Sequence, residues 1–200
     1  MYQRLLFSGV ILLMTILACR FSSTTDEQTV PTSLPPTEKP GNDHTYETDT
    51  YRFEIPKGWQ TFEEVWGRPV QHDNNYYGMA LQEEISLQYP SGQGKGAAFF
   101  SVASSPLAGG ADLKSRFDVA YENPVPEIRE VSWQLFKLKK LAGYEITYQR
   151  PWGEPWWKFR DIWLEHNSTI YVLSWHAYPG SFDKYQEAFD QILNSFQFKD

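Results

Sequence analysis

From Tyr51 onward much of the chain is written in period two. "YRFEI" (51–55) alternates Tyr, Phe and Ile with Arg and Glu, the pattern of a half-buried strand, and "PKGW" then breaks it with Pro56 and Gly58. "MALQEEISLQY" (79–89) places Met79, Leu81, Ile85, Leu87 and Tyr89 on one side, with Glu83 out of phase, which predicts a break in the strand there unless that carboxylate has a partner. "AAFFSVAS" (97–104) reads as a further strand. "WQLFKL" (133–138) and "GYEITYQR" (143–150) predict a hairpin, because Lys139–Gly143 is a short connection. "WWKFRDIWLEH" (156–166) and "TIYVLSWHAY" (169–178) predict a second hairpin, turning at Asn167-Ser168. These last strands are rich in Trp, Tyr, Val and Ile, which suit a pleated, packed surface.

Period 3.6 appears twice. In "SFDKYQEAFDQILNSF" (181–196), Phe182, Tyr185, Phe189, Ile192, Leu193 and Phe196 form one apolar stripe, with Ser181 as the expected cap. "DLKSRFDVAYE" (112–122) repeats this more weakly through Leu113, Phe117 and Tyr121. Strands in series, with helices inserted mid-chain and at the end, predict an α+β fold: an antiparallel sheet with helices packed on it.

The first 45 residues follow neither period. Leu5–Ala18 is almost wholly apolar and ends at Cys19, the only cysteine. Such a run spans about 21 Å as a helix, short of the ~30 Å bilayer core, and so fits the apolar region of an export signal better than a membrane span. Ser, Thr, Pro and acidic residues then dominate to about Thr45, with too few apolar side chains to repay ordering. The expected organisation is a signal (1–18), a disordered tether (19–45) and one domain (46–200). Among charged residues only Arg4 lies in the signal, leaving 17 basic against 25 acidic residues. That balance argues against nucleic acid, which needs a basic face. Eight Trp, 12 Tyr and 13 Phe provide for a large core without disulfides.

Two resemblances sharpen this. Ile16-Leu17-Ala18-Cys19 is similar to the box that closes bacterial lipoprotein signals, although Leu17 stands where a small residue is commoner. The resemblance implies a diacylglyceryl group on the Cys19 thiol, cleavage before it, and a body held on the extracytoplasmic face of the cell membrane. "YRFEIPKGW", "LAGYEITYQ" and the closing "STIYVLSWHAYPGSFDKYQEAFDQILNSFQF", with Ser195, Phe196 and Phe198, resemble the PsbP-like proteins over most of residues 50–200. That likeness implies an α/β/α sandwich around a central antiparallel sheet, and usually a binding or assembly module. It supplies no metal ligand or cofactor.

Candidate chemistry is sparse. The chain has no Gly-x-Ser-x-Gly, and "PSGQGKG" (90–96) lacks the ending of a phosphate loop. His44, His72, His166 and His176 show no metal-ligand spacing, and His176 reads as a buried, hydrogen-bonded residue. Asp161 and Glu165 share a strand face about 13 Å apart, too far for paired acid–base work, and read as solvated charges. The pattern therefore points to no catalytic residue, the alternative being an envelope hydrolase with an unrecognised site. The most aromatic connection is "RPWGEPWW" (150–157): Trp152, Trp156 and Trp157 are candidate partner contacts, with Trp66, Tyr76 and Tyr77 from a second loop on the same site. The other reading folds two of the first three onto the sheet edge or under a helix. Either way the partner, a protein or a small molecule, is unspecified.

Overall fold

One half of the antiparallel sheet consists of two successive hairpins, and the sequence announces the turn of each. In a computed structural model, β9 (Trp157–His166) and β10 (Thr169–Ala177) pair from Thr169↔His166 to Ala177↔Lys158. Asn167 and Ser168 between them both take positive φ, 49° and 57°, as a two-residue primed turn requires. β7 (Arg129–Leu138) and β8 (Leu141–Arg150) pair likewise through Lys139-Lys140. The structure describes residues 45–67, 73–74, 81–91, 95–107, 109–122, 127–151 and 156–200.

With β3 (Gln60–Thr61), β4 (Asp73–Asn74), β5 (Leu81–Ser91) and β6 (Lys95–Pro106), these strands form an eight-stranded sheet in the order β3-β5-β6-β10-β9-β8-β7, with β4 also on β5. β10 and β9 sit in the middle and are covered on both faces. On one side Trp163, Phe159, Tyr148, Ile146 and Val172 meet Leu113, Phe117 and Ala120 of α2 (Leu113–Glu122). On the other, Ile162, Leu164, Leu173 and Trp175 meet Phe182 of α3 (Pro179–Phe182) and Phe189, Ile192 and Leu193 of α4 (Gln186–Ser195). Burial of these side chains, at about 25 cal/mol per Å² of apolar surface, makes the two layers the main source of stability. The fold is the expected α/β/α sandwich.

A small sheet, β1 (Thr45–Glu47), β2 (Tyr51–Glu54) and β11 (Gln197–Phe198) in the order β1-β2-β11, lies beside α4. It accounts for the two terminal motifs. Tyr51 and Phe53 point inward against Phe196, and Ser195 accepts a hydrogen bond from the Glu54 amide at 2.9 Å. After β2, the Trp59 amide donates to the Pro56 carbonyl at 3.1 Å across Gly58, whose φ is 84°, and the turn lays Trp59 on Trp175 at 5.2 Å. Gly143 has a different reason. A Cβ there would overlap the Trp163 carbonyl oxygen, so the β8–β9 approach needs glycine.

Three expectations are refined. The strand near Glu83 does not end but slips register: Glu83 pairs with Ala103 and Ile85 with Val102, leaving Glu84 as a bulge residue. The predicted helix 181–196 is three pieces, α3, a 3₁₀ turn at Asp183–Tyr185 and α4. It starts at Pro179, whose missing N–H costs nothing in a first turn, so Ser181 lies inside it and is not the cap. A capping box unforeseen in the sequence opens α1 (Phe62–Trp66): Thr61 N donates to Glu64 Oε2 at 2.7 Å, and Glu64 N to Thr61 Oγ1 at 3.2 Å.

Candidate functional site

Of the aromatic side chains expected as partner contacts, those of Trp156 and Trp157 are described, and Trp157 is enclosed. Trp157 is 7% exposed and belongs to the α2-side core, with its ring 4.1 Å from that of Tyr178 and 5.7 Å from that of Phe99. The cause is strand parity. Trp157 opens β9 on the same face as Phe159 and Trp163, so the pleat turns it inward. Trp156, one residue earlier, is half-buried under the Arg129 guanidinium, 4.1 Å from its ring centre. Trp66 is the last residue of α1, before the left-handed cap Gly67. Cys19, Trp152, Tyr76 and Tyr77 lie outside the described residues.

The interior contains two polar groups that resemble catalytic candidates, and each has a structural explanation. Asp161 is 0% exposed rather than solvated. Its carboxylate accepts hydrogen bonds from the Tyr121 and Tyr148 hydroxyls, both at 2.8 Å, and from Ser174 at 2.6 Å, while Trp163 Nε1 donates to Tyr121 at 3.0 Å. These contacts tie α2 to three strands. A carboxylate this deeply buried needs such donors, and these three supply them. Its neighbour on the sheet face, His176, stacks on Phe159 at 4.8 Å and Phe99 at 5.1 Å. Burial there pushes its pKa down to about 3, which keeps the ring neutral and unsuited to proton transfer near pH 7. On the other face, burial and then the Glu84 carboxylate push the Tyr51 phenol well above its ordinary range.

The feature that sequence reading passed over is the edge strand β7. It has the order of a core strand, "REVSWQLFKL", yet seven consecutive residues, Arg129 to Leu135, are exposed. Leu135 is 75% exposed, Trp133 54% and Val131 49%. Trp133 and Leu135 stand opposite Ile146 and Tyr144 on the α2 face, but α2 packs over β8 and β9 and leaves them open. Trp133 is braced by Phe117, 6.0 Å away edge-on, and by Lys114 Nζ, 5.5 Å from its ring. The reverse face is a groove between β7 and α4 lined by Gln134, Phe136, Leu138, Glu145, Arg160 and Asp190. Arg160 holds its floor by bonding Glu145 at 2.7 Å and Asp190 at 3.3 Å. Lys139 Nζ donates to the Asn194 carbonyl at the end of α4. The signal that could have found this edge is the apolar content of both parities in 131–138, combined with a hairpin followed by strands of denser aromatic content.

Among solved structures, the chain is similar to the cyanobacterial PsbP, CyanoP, of Synechocystis sp. PCC 6803, with a TM-score of 0.51 and 14% identity over 82% of this chain and 99% of that one. It is also similar to LpqN of Mycobacterium tuberculosis, described as involved in cell envelope biogenesis, with a TM-score of 0.52 and 13% identity over 79% and 93%. The fold is PsbP-like. At these identities the likeness establishes architecture alone. No protein-family profile matches the chain, and no curated protein matches it in sequence. Among the described residues no helix is long and apolar enough to cross a membrane.

Proposed function

We propose that this protein is a lipid-anchored module on the extracytoplasmic face of the membrane that works by contact rather than by catalysis. The observation that carries the contact reading is the exposed strip Val131, Trp133 and Leu135 on the outermost strand of the sheet. Large apolar side chains left open in a row on an otherwise well-packed domain are characteristic of interaction surfaces. The PsbP-like fold supports the same reading, since one structural neighbour, LpqN, is described as an envelope-biogenesis protein. The two interior groups with the chemistry of a catalyst, Asp161 and His176, are built into the packing, so the hydrolase alternative gains nothing from them.

The anchor half of the reading rests on the Leu5–Ala18 run and the Ile-Leu-Ala-Cys box. Two acyl chains hold a protein at a bilayer firmly where one gives only marginal residence. On fractionation, the wild-type chain is expected with the membranes and Cys19→Ala in the soluble or unprocessed fraction. Membrane retention of a processed Cys19→Ala protein would refute the anchor.

A further inference from the structure

We infer that β7 is the acceptor edge for an added strand, and that its partner is an extended peptide segment with apolar residues at alternate positions and acidic residues at its ends. The inference deepens the contact reading above and rests on it. β7 ends the sheet order, so every second residue turns its N–H and C=O away from β8, and among the described residues no strand meets them. The straight part runs from Ser132 to Leu138, in unbroken register with Thr147 to Leu141. Beyond it, Glu130 takes a φ of 53° and the register shifts, which ends the template at about seven residues, or roughly 23 Å.

Side chains along this stretch give the edge a preference. Trp133 and Leu135 present the apolar face, and Lys137 follows on the same face. From Arg129 to Lys140 the chain carries Arg129, Lys137, Lys139 and Lys140 against Glu130 alone, in a protein of net charge −7. A second copy of the chain would bring those four cations against their own kind. A lipid surface suits the charge and the tryptophan, but hydrocarbon cannot satisfy the open backbone groups of an edge. An added peptide strand satisfies them, places its alternate apolar side chains on Trp133 and Leu135, and sets its acidic ends by the lysines.

The test uses the full-length chain and a synthetic peptide of about eight residues, valine alternating with threonine and two glutamates at each end. A control peptide carries lysines instead of the glutamates. Amide hydrogen exchange in residues 132–138 should slow at least tenfold with the glutamate peptide and stay unchanged with the lysine peptide. Leu135→Glu/Lys137→Glu should weaken the glutamate peptide at least tenfold with the unfolding midpoint unaltered, because both side chains lie on the surface. Equal binding of both peptides, protection elsewhere than β7, or full binding by the double variant would overturn the inference. So would protection of β7 that rises with protein concentration alone, which assigns a second copy, or that needs phosphatidylglycerol vesicles, which assigns lipid. None of these outcomes depends on Cys19, so loss of the anchor reading leaves the edge assignment standing.

Discussion

Strands β10 and β7 are similar in length and apolar content, belong to one sheet, and have opposite fates. In β10 every residue after Thr169 is buried, and Val172, Leu173 and Trp175 are at most 1% exposed. In β7 only Phe136 is buried. β10 has a neighbour on each side, a helix layer above and another below; β7 has one neighbour among the described strands, and α2 reaches it only at its margin, where Phe117 and Lys114 flank Trp133. Position in the sheet, not composition, makes one strand core and the other surface. The comparison also separates two kinds of polar residue. Asp161 and Ser174 in the centre are bonded to each other out of reach of water, whereas Lys137 at the edge is exposed and Gln134, also exposed, donates to Glu145 at 3.2 Å.

The contrast can be broken most sharply at its centre. Trp175→Ala removes a 0% exposed indole that stacks on Phe189 at 5.5 Å and lies against Trp59, so unfolding by denaturant should show a loss of about 3–5 kcal/mol. A loss below about 1 kcal/mol would mean the sheet centre is not packed as described.

Next in size is a pH effect from the same strand. His176 has a folded pKa of about 3, lowered by burial, against an ordinary value near 6.5 in the unfolded chain. The unfolded state therefore binds a proton that the folded state refuses. Stability from this group is complete above about pH 6.5 and falls as pH drops toward 3, by about 1.4 kcal/mol per unit. Unfolding midpoints between pH 7 and 4.5 should show that slope in the native chain and lose it in His176→Phe. The carboxyls of Glu47 and Asp112, lowered by Lys199 and by the Ser115 amide respectively, titrate below the upper end of that window.

The smallest effect belongs to the edge. Leu135→Ser takes a large apolar side chain from a 75% exposed site and should change stability by no more than about 0.5 kcal/mol, read from the same denaturation curves. A cost near that of Trp175→Ala would show that something covers β7 in the native chain and would erase the contrast.

Much of this was legible in the chain. Period two and period 3.6 placed the strands and both main helices, the Asn167-Ser168 turn fixed the last hairpin, and the terminal motifs proved to share one core, with Tyr51 and Phe53 on Phe196 and Trp59 on Trp175. These features are local: alternation, caps and turns are set by neighbours within a few residues. The rest is decided by distant segments. The stiff, aromatic loop at Trp157 suits either a surface contact or a place on the sheet, and the pleat of β9 carries it inside. Asp161 looked solvated because its partners Tyr121, Tyr148 and Ser174 come from 40, 13 and 13 residues away.

By itself the sequence determined the class of fold, the elements and their turns, since these follow from side-chain periodicity along a single segment. Only the tertiary structure decided the order of strands, and with it which apolar residues are enclosed and which stand open. A strand's burial depends on what lies on its two edges and two faces, and those neighbours are recruited from across the chain.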